Sequence, residues 1–189
     1  MANSDAAFGL RPVSKLDGSP YNGAVRQCYW AGDTSTTLYP GDPVKLSGTA
    51  DDNGVPSVTL AAAGDAIWGV MVGVSGDANE DLTRDTARYL STTAGYAQVC
   101  KADNVIFEVQ EDSGGAALAK TAVGQKLDLV AGSPSTSHPI RSAYELDSST
   151  ATTATAQVQI IGFPRRPDNA IGTNANWLVR VAELQTAGV

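Results

Sequence analysis

The sequence predicts an all-β protein: a β-sandwich or β-barrel domain of short antiparallel strands behind an extended N-terminal arm. Three observations point there. Turn signals recur at short intervals, among them Asp17-Gly18, Asn22-Gly23, Pro40-Gly41, Asn53-Gly54, Gly114-Gly115 and Gly132-Ser133-Pro134. The runs between them have strand length, and two alternate clearly: Val105, Phe107 and Val109 against Glu108 and Gln110, and Trp177, Val179 and Val181 against Arg180. Helix signals are poor. Asn79–Tyr89 offers an N-cap at Asn79 and a Glu80/Arg84 pair spaced i,i+4 but no continuous apolar stripe, so a loop fits it as well as one short helix.

In chain order, residues 1–23 read as the arm and residues 24–189 as a β-rich domain, or as two small β lobes. Strands are expected over Ala24–Trp30, after the Asn22-Gly23 turn, and over Pro43–Leu46, after Pro40-Gly41. Ser57–Ala61 follows Asn53-Gly54, and Ile67–Val74 fills most of the longest apolar run, Ala66 to Val74. Further strands are expected over Tyr96–Lys101, Val105–Glu111, Gln125–Val130, Ser142–Leu146, Gln157–Phe163 and Trp177–Leu184. Ser148 to Ala156, SSTATTATA, reads as an exposed low-complexity loop or a flexible arm.

Composition narrows the function. Ala, Gly, Ser and Thr dominate 189 residues, so the core should be thin. A nine-residue apolar run is too short to span a bilayer, and MANSDAAFGLRPV has neither the basic nor the apolar stretch of a secretory signal. Net charge is −7, with twelve acids against four bases in residues 42–112, which reads as a solvated, solubilising face. Lys and Arg are not clustered beyond Arg165-Arg166, which speaks against nucleic acid as a partner. Cys28 and Cys100 match no metal or redox spacing; they allow one bridge but read first as two buried thiols.

Enzyme chemistry finds little footing. His138 is the only histidine, and Gly73-Val74-Ser75-Gly76 misses the nucleophile-elbow spacing by one residue. Asp77-Ala78-Asn79-Glu80-Asp81 begins like a calcium loop, but Leu82 replaces its glycine and Arg88 its bidentate glutamate. No phosphate-cradling glycine-rich loop with lysine is present, and adjacent acids such as Asp51-Asp52 and Glu111-Asp112 read as solvated. The expectation is a non-enzymatic protein without cofactor or metal.

Three segments are too specific for filler: Phe8-Gly9-Leu10-Arg11-Pro12-Val13 with Gly18, Tyr21 and Asn22-Gly23; Val105 to Asp112 after Cys100 to Asn104; and Pro167 to Gly172 leading into Trp177 to Val181. With Leu146-Asp147-Ser148-Ser149 between them, the series resembles capsid decoration, or cement, proteins encoded among tailed-bacteriophage head genes. The resemblance is strongest in the first 25 residues and from residue 96 onward. It implies a structural virion protein on the outer capsid surface that bridges major capsid subunits, a homo-oligomer (trimer first, dimer second), with no nucleic-acid or membrane partner. Other readings are a tail or head-fibre subunit, or a carbohydrate-binding β-domain that engages the host surface.

Phe107 and Trp177 read as core aromatics, and Asp168-Asn169 as a turn whose side chains bond local backbone. Phe8, Leu10, Arg11, Pro12 and Tyr21 are the candidate partner contacts. A terminal segment has little core of its own to join, and interface hot spots favour aromatic and arginine side chains.

Overall fold

The computed structural model describes residues 3–32, 36–75, 90, 92, 94–135 and 140–186. Among them twelve strands run in chain order: β1 (Arg11–Lys15), β2 (Arg26–Trp30), β3 (Pro43–Ala50), β4 (Pro56–Leu60), β5 (Gly69–Ser75), β6 (Gly95–Lys101), β7 (Val105–Gln110), β8 (Lys126–Leu127), β9 (Leu129–Ala131), β10 (Tyr144–Leu146), β11 (Val158–Gly162) and β12 (Asn176–Val181). The only helical pieces described are three-residue 3-10 turns. The chain is all-β, as its turn spacing predicts. No helix among the described residues is long and apolar enough to cross a membrane.

The strands build two bodies. The first is a closed barrel in the order β2-β4-β3-β5-β6. Its neighbours are antiparallel except at the seam between β2 and β4, which run parallel and meet at Tyr29 and Ser57. The second is a five-stranded antiparallel sheet in the order β1-β7-β12-β11-β8, accompanied by the β9–β10 ribbon.

β5 and β6 form the wall between two cores, and the two-residue period of a strand explains how. Met71, Ala97 and Val99 point into the barrel, where they join Cys28, Trp30, Leu38, Val44 and Val58. Their neighbours Val70 and Cys100 point the other way, into a core with Phe107, Leu127, Leu146, Ile160, Trp177 and Val179. Both cysteines are buried and form no disulfide, and they lie in different cores. Burial raises both thiols, Cys28 to about 11.

Phe107 and Trp177 are fully buried, as the alternation of β7 and β12 predicts. Asn169 accepts from the Asn176 amide and donates to the Pro164 and Asn176 carbonyls, which makes it the local backbone brace expected of that turn.

Several expectations need correction. Residues 11–15 are a strand, not part of a free arm: β1 pairs with β7 from Arg11↔Glu108 to Lys15↔Val105. Upstream, Asn3 bonds Ala170 and Thr173, while Gln110 bonds Ser4 and Ala6, so residues 3–6 are tied down as well. The strand expected over 125–130 breaks at Asp128, whose carboxylate turns aside to accept the Gln157 amide. The 148–156 stretch is neither free nor fully exposed. Thr152 exchanges backbone hydrogen bonds with Lys126, and Ser148 and Ala156 are buried. The acidic middle is not wholly solvated, because Asp42, Glu108 and Glu111 are buried. Asn79–Tyr89, the 77–81 acidic loop, Gly76 and His138 lie outside the described residues.

Candidate interaction surface

The chain enters the site through Gly9, at φ +72, where a side chain would run into the Gly41 carbonyl oxygen and, at 2.6 Å, into Ser142. The opposing segment, Tyr39-Pro40-Gly41-Asp42, closes a turn with the Asp42 amide 3.0 Å from the Tyr39 carbonyl and Gly41 at φ +100. Proline followed by a positive-φ glycine is the sequence of a type II turn. The Gly41 carbonyl accepts from the Leu10 amide at 2.9 Å, and the Gly41 amide donates to Met71 at 2.7 Å. Two glycines packed face to face thus lock the N-terminal segment to β5 of the barrel.

Phe8, Leu10, Arg11, Pro12 and Tyr21, the five residues singled out in the sequence, all line one open cleft of about 550 Å³ between β1 and the barrel. Val25, Val72 and Arg141 line it too, and none of the three was among the expected contacts. Leu10 differs from the other four. It is 1% exposed and belongs to the main core, so it is the floor of the cleft and not a free contact. The premise that a terminal segment lacks a core to join fails at this residue. Val25 is 41% exposed, an apolar side chain left in water at the mouth.

Arginine frames the cleft. Arg11 Nη2 lies 2.6 Å from Glu108 Oε2 while the guanidinium sits 4.9 Å above the Phe8 ring. Glu108, on β7, is 2% exposed and would be costly alone; Arg166 Nη2 approaches its other oxygen at 2.6 Å. One buried carboxylate therefore holds two cations and fixes the direction of Arg11. Tyr21 donates to the Ala24 carbonyl at 3.1 Å, and its phenol is raised by burial first and the Cys100 thiol second.

Three carboxyls are pushed upward, those of buried Asp42 and Glu111 and of half-buried Glu145. Asp42 rises to about 6 through burial, opposed by its hydrogen bonds from Ser142 and the Tyr39 amide. Glu111 rises to about 7 through burial, opposed by Trp177 and the Leu118 amide. Glu145 rises to about 7 through burial, with Asp5 and Asp112 adding to it. Between the ordinary carboxyl range and these raised values the folded state holds more protons than the unfolded one, so stability falls as pH rises through that window. Asp17, Asp51 and Asp65 are lowered instead, and their contribution is lost below about pH 4. The protein is expected to be more stable at pH 5 than at pH 8, with the higher thermal midpoint at pH 5. Calorimetry across that range checks it, and a midpoint that rises steadily with pH would contradict it.

Among the described residues, no three His, Cys, Asp or Glu side chains gather as a metal site would need. What the cleft offers is an apolar floor, two aromatic rings and two guanidinium groups, which suits contact with another macromolecule. Comparison with known proteins finds no matching family model, no matching curated protein and no matching solved structure.

Proposed function

We propose that this protein is a structural component of a tailed-phage virion, a decoration protein that binds the outer capsid surface and bridges major capsid subunits. The observation that carries the reading is the convergence of Phe8, Arg11, Pro12 and Tyr21 with Val25 on one open apolar cleft. The N-terminal segment that bears the resemblance is the segment that builds this surface. Arg11 and Pro12 sit on β1, which is paired with β7, so that part of the surface loses little ordering entropy on binding. Many copies, each with a modest contact, would stabilise a shell through multivalency, and self-association into a closed trimer would multiply that effect.

Cosedimentation with undecorated capsids tests it. Val25→Glu places a charge at the mouth of the cleft on a side chain already exposed, so folding should be kept. The variant is expected to lose capsid binding by at least about tenfold, with unchanged circular dichroism. Phe8→Ala is expected to weaken it less, since Arg11 and Tyr21 remain. Val25→Glu binding as tightly as the native chain would contradict the reading.

A further inference from the structure

The cleft has a chemical preference of its own. Among the described residues its charged lining side chains are Arg11 and Arg141, in a chain whose net charge is −7. Arg11 is already held by Glu108, but Arg141 forms no ion pair among the described residues, and its buried Nε lacks a hydrogen-bond partner. Asp5 and Glu145 line a smaller polar pocket that Arg141 also lines, and neither forms an ion pair with it among the described residues. An unpaired guanidinium beside an apolar floor is half of a contact whose other half is a carboxylate.

We infer that the cleft seats an extended protein segment carrying an apolar side chain next to an aspartate or glutamate, with the carboxylate on Arg141. The apolar residue rests among Phe8, Tyr21 and Val25. The acid meets the Arg141 guanidinium where it lines the cleft. Charge complementarity selects this occupant: a basic segment would meet two arginines and no acid, whereas an acidic one removes an unpaired cation.

The inference rests on reading the cleft as a protein contact, and its test is kept separate from the test for capsids. The probes are three acetylated, amidated hexapeptides with one apolar Leu-Val core and flanks of Glu, Ser or Lys, titrated into the full-length protein by calorimetry. The Glu-flanked peptide is expected to bind at least about tenfold more tightly than the Lys-flanked one, the scale of one charge-assisted contact. Arg141→Gln should abolish that preference and leave the Ser-flanked peptide unaffected. Val25→Glu should weaken the Glu- and Ser-flanked peptides. Equal affinity for Glu and Lys flanks, no binding of any peptide, or a preference that survives Arg141→Gln overturns the inference. Native protein that ignores capsids yet prefers the Glu peptide would sink the virion reading and leave this one standing. Capsid binding that is indifferent to Arg141→Gln would do the reverse.

Discussion

Trp177→Ala is expected to be the most damaging single substitution in the chain, at a cost of about 4 kcal/mol, or roughly 8–16 °C in thermal midpoint. Trp177 is completely buried in the centre of the main core, edge-on to Phe163 with ring centroids 5.1 Å apart. Its indole N–H also donates at 2.6 Å to Glu111, a carboxylate with no exposure. Alanine there opens a cavity and strands a buried acid, two penalties that share one site. Trp177→Phe separates them: it keeps most of the volume, loses only the donor, and should cost about 2 kcal/mol. With the donor gone, Glu111 should titrate still higher, so the Phe variant should gain more from acidification than the native protein. Denaturant unfolding at pH 5 and pH 8 reads both effects. A Trp177→Ala cost below about 1 kcal/mol would contradict the packing described here.

Removing residues 2–23 is expected to destabilise the sheet severely and not to leave an intact domain. The truncation strips β1 from β7, takes Leu10 out of the main core, and removes Arg11 from the buried Glu108. It also takes away Ser4 and Ala6, which occupy the side chain of buried Gln110. A buried leucine alone is worth about 2–5 kcal/mol, so the total approaches the whole stability of a typical domain. Circular dichroism of the truncated chain should show a midpoint lowered by more than about 10 °C, or no cooperative transition. A truncated protein with native spectrum and midpoint would restore the picture of a detachable arm. For this reason point substitutions, not truncation, are the proper probe of binding.

The ten strand regions expected from the sequence all recur in the fold because turn signals punctuate the chain between runs of strand length, two of which alternate clearly. β1 escaped notice for the opposite reasons. Its five residues hold Pro12 and one apolar side chain, Val13, and its pairing partner β7 is distant in sequence. A proline is tolerated there because β1 is an edge strand of its sheet. The buried acids were hidden in the same way. Glu108 looks like the polar half of an alternating strand, and only the approach of Arg11 and Arg166 makes its burial tolerable. Glu111 reads as half of a solvated Glu-Asp pair until β12 delivers the Trp177 indole to it. The candidate surface was legible in part. Aromatic and arginine residues near the N-terminus flagged one wall of the cleft, but Val25, Val72 and Arg141 reach it from other segments.

A cryo-EM map of particles carrying the protein tests the central claim most directly. The account predicts density for the protein on the outer capsid surface, with a capsid segment lying in the cleft and Phe8, Tyr21 and Val25 covered by it. A protein found on tails, or attached to the capsid through another face with this cleft open to solvent, would contradict it.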